Sequence, residues 1–125
     1  MFMVHFTFPE LIVTDTKLPN LPTKMSHVEN LCVLADFLNL IRNEFGHAIV
    51  VNSAYRTKDV NTAVNGCANS LHMQGRAADI RPATNPTISK CKDEENLQRL
   101  KDVISSHRDE LSEFVVYPTF LHIAI

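Results

Sequence analysis

The stretch Ser70-Leu71-His72-Met73-Gln74-Gly75-Arg76-Ala77-Ala78-Asp79-Ile80 decides how this chain is read, together with Phe120-Leu121-His122-Ile123 near its end. Imidazole and carboxylate are good zinc ligands, and two His with one acid leave the fourth tetrahedral position open. An open position suits hydrolysis, whereas a structural zinc site fills all four, usually with thiolates. Gly75 is the residue here that takes a positive φ without penalty, so the spacing predicts two extended segments with a turn around it. Small Ala77 and Ala78 before Asp79-Ile80 predict a buried strand, and reversal at Gly75 brings Asp79 back beside His72. His122 must come from a different strand. It sits in the apolar run Phe120 to Ile125, where a polar ring needs a partner and a metal is one candidate.

Each of these residues also has an ordinary reading. A lone His in an apolar strand serves as a hydrogen-bonded core residue, Asp79 as a turn cap and His72 as a loop histidine. The other histidines, His5, His27, His47 and His107, lie outside the motifs and read as structural or solvent-exposed.

Composition bounds the answer. The 125 residues suit one domain, taken as residues 1–125, able to bury a core without staples. A hydrophobic fraction of 45% and a charged fraction of 21% are ordinary globular values, and a net charge of −2 supplies no basic field for nucleic acid. No apolar run approaches the roughly 20 residues that span a bilayer. The segment Met1-Phe2-Met3-Val4-His5-Phe6 lacks a basic region and meets Pro9-Glu10 too soon for a signal peptide, so synthesis in the cytoplasm is expected. Cys32, Cys67 and Cys91 match neither zinc-knuckle spacing nor a disulfide framework, and Cys32 is expected to be a small buried hydrophobe within a helix.

The periodicity places these motifs. Residues 8–27, with Pro9, Pro19 and Pro22, read as irregular. A helix over about 28–45 carries Val28, Leu31, Ala35, Leu38, Ile41 and Phe45 on one face, with Ser26 as N-cap, Glu29 three residues on and Gly46 as its C-terminal stop. Ala48 to Val51 reads as a strand and 58–65 as a short helix. A polar loop bracketed by Pro82 and Pro86 runs to about Lys92, and a second long helix covers about 94–110 with Leu97, Leu100, Ile104 and Leu111 as its stripe. Strands at Glu113 to Tyr117 and Phe120 to Ala124 meet through Pro118-Thr119. The fold class is α+β: a small, mostly antiparallel sheet packed against two main helices.

The pattern Ser70-x-His72-x-x-Gly75-x-Ala77-x-Asp79-Ile80 resembles the signature of the zinc D-Ala-D-Ala carboxypeptidases and L-alanyl-D-glutamate endopeptidases, peptidoglycan metallopeptidases of the Hedgehog/DD-peptidase fold. Phe6-Thr7-x-x-Glu10-Leu11 with Thr14-Asp15-Thr16 resembles the opening of the short phage and bacterial type. Asn30-Leu31, Val51-Asn52-Ser53-Ala54-Tyr55-Arg56-Thr57, Asn61-x-Ala63-Val64-x-Gly66 and Phe120-Leu121-His122-Ile123 continue the likeness in order over nearly the whole chain.

The resemblance implies a Zn2+ cofactor held by His72, Asp79 and His122. It also implies that Arg56 binds substrate and stabilises the transition state, since a guanidinium fork holds a peptide carboxylate bidentately; the ordinary alternative is an ion pair with Asp59 or Asp79. Ser70 is implied as a substrate-binding or supporting hydroxyl, or simply a turn former. Ala54 replaces the usual Gly. The general base departs from the pattern. Many relatives carry an acid three residues before the last His, here Thr119, and short phage types an Asp two residues after it, here Ala124. Glu113 is the nearest upstream acid and is nominated as base.

Two function classes follow. One is a zinc peptidase acting on peptidoglycan peptides, a monomer working on the cell wall after release or export. The other is a non-catalytic, zinc-retaining cell-wall-binding domain of the same fold. A carboxylate near the open zinc position separates them. A third, metal-free globular domain is disfavoured by the ordered motif blocks.

Overall fold

Apolar residues at three- and four-residue steps from Leu31 to Phe45 build the longest helix and the backbone of the core. A computed structural model describes residues 5–83 and 90–125. The elements in order are α1 (Phe8–Leu11), α2 (Met25–Phe45), β1 (Ile49–Ser53), α3 (Lys58–Ala63), a 3-10 turn (Leu71–Gln74), β2 (Ala77–Pro82), α4 (Lys90–Ser105), a second 3-10 turn (Arg108–Glu110), β3 (Glu113–Val116) and β4 (Leu121–Ala124). The four strands form one antiparallel sheet in the order β1-β2-β4-β3. The expected α+β class is the one observed.

Side chains alternate across the sheet because successive Cβ atoms point to opposite faces. Ala78 and Ile80 of β2 and Leu121 and Ile123 of β4 join the core with Leu31, Leu34, Leu38, Ile41 and Phe45 of α2 and Leu100 and Ile104 of α4. Asp79 and His122 occupy the alternate positions and so stand on the face turned away from that core. In β1 the register shifts between Val51 and Ser53, leaving Asn52 as the extra residue of a bulge. The bulge aligns Ser53 with Asp79, where an unbroken ladder would place Asn52.

Several boundaries differ from the sequence reading. α2 begins at Met25, its preceding residue Lys24 making no side-chain cap, so Ser26 lies inside the helix and not at its N-cap. No proline or glycine stands between Pro22 and Val28, and the helix extends back until Lys24 O accepts from His27 N and Val28 N. It ends as expected at Gly46, φ 79°, whose N–H bonds Arg42 O. Phe8–Leu11 is a helical turn and not irregular: Glu10 reaches back to Thr7 N at 3.2 Å, half of a capping box, with Pro9 in the first turn where its missing N–H costs nothing. Residues 71–74 form a 3-10 turn and not an extended segment, stopped by Gly75 at φ 75°. α4 runs Lys90–Ser105, earlier at both ends than expected, and Leu111 is buried beyond it, after the second 3-10 turn. Cys32 is exposed, because it lies one step of about 100° from Leu31 and off the buried stripe. Pro86 and the Cys91 side chain lie outside the described residues, as does the segment Met1 to Val4. Among the described residues no helix is long and apolar enough to cross a membrane.

Polar ties hold the periphery. Asn20, buried, donates to Ile12 O at 2.9 Å and Tyr55 O at 2.8 Å and accepts from Thr57 N at 2.9 Å, pinning the irregular segment to the β1–α3 connection. On the other side of the core, His107 joins Glu44 of α2 and Glu110, each at 2.8 Å, and stands edge-on to Phe37. The hydrogen bond to Glu44 raises the His107 imidazole above its ordinary value of 6.5, burial opposes it, and the hydrogen bond to Glu110 adds to the rise.

A raised folded-state pKa stabilises the fold fully below the unfolded value, and that contribution disappears as pH rises through the folded one. The urea midpoint of the native protein should therefore fall relative to that of a His107→Gln variant as pH rises from about 6 to 8, by an amount worth at most about 1 kcal/mol for a pair this near the surface. A difference between the two proteins that is constant with pH would contradict the assignment.

Candidate metal centre

The register of two adjacent strands brings an acid and an imidazole together. Asp79 of β2 and His122 of β4 are direct cross-strand partners, and His122 Nδ1 donates to Asp79 Oδ1 at 2.8 Å. His72 arrives from the 3-10 turn. Ser70 begins that turn by accepting from His72 N at 3.2 Å, and Gly75 ends it. At Gly75 a Cβ would lie 2.6 Å from His27 O, so both its positive φ and its close approach to α2 require glycine. The turn carries His72 Nε2 to 3.3 Å from the same Asp79 oxygen. The two rings lie 5.3 Å apart, and the three residues each offer a donor atom within 4.8 Å of the others.

The backbone fixes the orientation of His72. The ring is buried, and its Nδ1 lies 2.7 Å from Ala54 O, an atom that can only accept, so Nδ1 carries the proton. In the neutral ring this turns the Nε2 lone pair toward Asp79. In the reverse direction Arg56 N donates to His72 O at 3.0 Å, locking the 54–56 segment and the 3-10 turn together. A ligating imidazole held through its far nitrogen by a carbonyl is a recurrent support of metal sites. The donor set is nitrogen, carboxylate oxygen, nitrogen, and the separations at Asp79 compare with an edge of about 3.3 Å for a tetrahedron of bonds of about 2.0 Å. These residues fit zinc.

Charge is arranged around Asp79. Burial alone would raise its carboxyl, yet the hydrogen bond from His122 and, when the second ring is protonated, that from His72 outweigh it and hold it well below the usual carboxylate range. His122 is raised, first by its hydrogen bond to Asp79, with burial opposing and Glu113 adding. Burial lowers the Arg56 guanidinium, offset by the charge of Asp79. Asp79 Oδ2 accepts from Arg56 Nη2 at 3.4 Å, so Arg56 makes the ion pair weighed for it from sequence, with Asp79 as partner. Arg56 also donates from Nε to Ser53 Oγ at 3.0 Å and from Nη1 to Asn61 Oδ1 at 3.4 Å.

All six residues singled out in the sequence meet in one cavity of about 440 Å³, lined by Arg56, Ser70, His72, Asp79, Glu113 and His122 with Cys67, Val115, Tyr117 and Phe120 among its other walls. Glu113 stands on β3, two residues from Val115, the partner of His122, and its Oε1 lies 3.1 Å from His122 Nε2. Tyr117 and Phe120 stack at 4.5 Å on the rim. The Ser70 hydroxyl is the cap of the 3-10 turn. Sequence reasoning passed over three supports: the Ala54 carbonyl, Ser53 and Asn61. The bulge that aims Ser53 leaves no composition signal; Ser53 and Asn61 both stand in segments of the family likeness, which assigns neither a role.

A family model described as Peptidase M15 matches residues 4–123. Among curated proteins none matches the chain. With the match running over nearly its whole length, the chain belongs to the peptidase M15 family.

Proposed function

We propose that this chain, residues 1–125 acting as one domain, is a zinc-dependent peptidase that cleaves peptidoglycan stem or cross-link peptides. The observation that carries the reading is the convergence of His72, Asp79 and His122 on one spot in a cavity that also exposes Arg56. His72, Asp79 and His122 would hold the metal. Zinc there would supply Lewis acidity toward a peptide carbonyl and a water acidic enough to react near neutral pH.

The chain's own residues do the rest. Arg56 holds a substrate carboxylate: a guanidinium has five N–H donors, and Ser53, Asn61 and Asp79 take three, leaving one on each terminal nitrogen. Ser70 supports His72 through its backbone and faces the same cavity. Among the described residues lining the cavity, Glu113 is the one acid besides Asp79, and its carboxylate is half exposed. It is the proton acceptor in this reading, passing the proton to the leaving amine. A zinc-retaining cell-wall-binding module is the second reading, favoured by one feature: Glu113 is engaged with His122 Nε2, while Thr119 and Ala124 carry no acid.

Protein purified without added metal should contain one zinc per chain. A His72→Ala, His122→Ala double variant should contain none, and chelation of the native protein should lower its Tm by at least about 5 °C because the metal binds the folded state. Absence of zinc from the native protein, or full retention in the double variant, contradicts the ligand set.

Incubation with purified peptidoglycan should release peptides, with EDTA abolishing release and zinc restoring it. Glu113→Gln should slow release by about 10²–10⁴-fold, the usual worth of a general base. Arg56→Lys should slow it at least about tenfold, since lysine keeps the charge and loses the planar fork. A zinc-loaded protein that binds the wall and releases nothing establishes the binding module instead.

A further inference from the structure

Asn61 is among the few buried polar side chains, 3% exposed, and it lies in α3, outside the metal-binding trio. Both ends of its amide are committed. Oδ1 accepts from Arg56 Nη1 at 3.4 Å, and Nδ2 donates to Cys67 O at 2.8 Å. Its own carbonyl accepts from Gly66 N at 2.8 Å. Cys67, Asn69 and Ser70 belong to the loop that lines the same cavity, and Ser70 Oγ in turn caps the turn bearing His72.

Gly66 is shaped to this amide. A Cβ at Gly66 would stand 2.0 Å from Asn61 Oδ1 and 2.7 Å from its Cγ, a contact no packed side chain tolerates. The Asn65 backbone beside it is left-handed, φ 58°, the sole non-glycine example among the described residues. Loop and amide are thus fitted to each other, with the amide's oxygen left to face Arg56.

We propose that Asn61 is a positioning residue for Arg56: its buried amide ties the guanidinium to the loop 65–70, so that the fork and the cavity wall hold one relative geometry. Ser53 Oγ fixes Nε, Asp79 Oδ2 fixes Nη2, and Asn61 Oδ1 is the third point that sets the plane of the group. Without that third acceptor the guanidinium keeps only its contacts to Ser53 and Asp79, its Nη1 side loses the tie to the loop, and a planar two-donor contact loses part of its preorganisation. The geometry stands without any assumption about chemistry; the consequence for substrate rests on the peptidase reading.

The test uses the zinc-loaded full chain and three variants. Asn61→Leu removes both amide bonds at similar volume, Gly66→Ala displaces the amide from the other side, and Thr62→Ala, an exposed neighbour on α3, controls for disturbance of the helix. Two readouts apply: the hydrogen-exchange rate of the Arg56 Nε–H by 15N NMR, and kcat/KM for a stem peptide with a free C-terminal carboxylate against the same peptide amidated. Asn61→Leu and Gly66→Ala should each keep wild-type zinc content, raise the Nε–H exchange rate about tenfold, and erase at least about tenfold of the preference for the free carboxylate, while Thr62→Ala changes none of these. If Asn61→Leu fails to fold, Gly66→Ala decides. Unchanged Nε–H exchange in the folded variants overturns the proposal. If the native protein cleaves neither peptide, the peptidase reading fails and the exchange rates alone decide the positioning role.

Discussion

The pairing of Asp79 with His122 across β2 and β4 is the constraint on which the rest of this structure depends. Strand side chains alternate with a period of two, so one register serves two purposes at once. It turns Ala78, Ile80, Leu121 and Ile123 into the core beneath α2 and α4, and it turns the acid and the imidazole to the opposite face. A slip of one residue would bury both polar groups among leucines and expose the apolar set. Burial of several large side chains, each worth about 1.5–3 kcal/mol, therefore enforces the geometry of the site. Stability and chemistry share one register.

A second constraint adds His72. The turn at 71–74 is not held by the sheet; it is held by exchange with the 54–56 segment, His72 Nδ1 giving to Ala54 O and Arg56 N giving to His72 O. Asn20 fixes that segment from below through Tyr55 O and Thr57 N. The irregular residues after α1 thus matter to the site although they contribute no group to it. Such a frame is what a reactive constellation needs, because its side chains must be held by neighbours that are themselves held.

Much of this was legible in the sequence, and the failures have physical causes. The stop at Gly46 is a local signal and stands as expected; of the stripe from Val28 to Phe45, Leu31, Leu38, Ile41 and Phe45 are buried, whereas Val28 and Ala35 are half-buried and Leu34 and Phe37 take core positions the stripe omits. Ser26 offers a capping side chain that the fold does not use, so α2 starts earlier than that signal indicates; the absence of a breaker after Pro22 governs instead. The segment 71–74 carries no helical periodicity and so reads as extended, because a four-residue 3-10 turn is too short to have any. Residue type alone points Cys32 to the core, but its angular position on the helix decides and leaves it exposed. The trio itself followed from residue chemistry and family likeness, whereas Ser53 and Asn61 depend on a bulge and on a buried amide, features that only three-dimensional contact displays.

The proposed centre holds a single zinc by two imidazoles and one carboxylate, with no thiolate, although Cys67 lines the same cavity. X-ray absorption at the zinc edge of the native protein tests it most directly. That ligand set gives a first shell of nitrogen and oxygen alone at about 2.0–2.2 Å, with the multiple scattering of two imidazoles. A sulfur scatterer at about 2.3 Å, or a shell holding no imidazole, would contradict it.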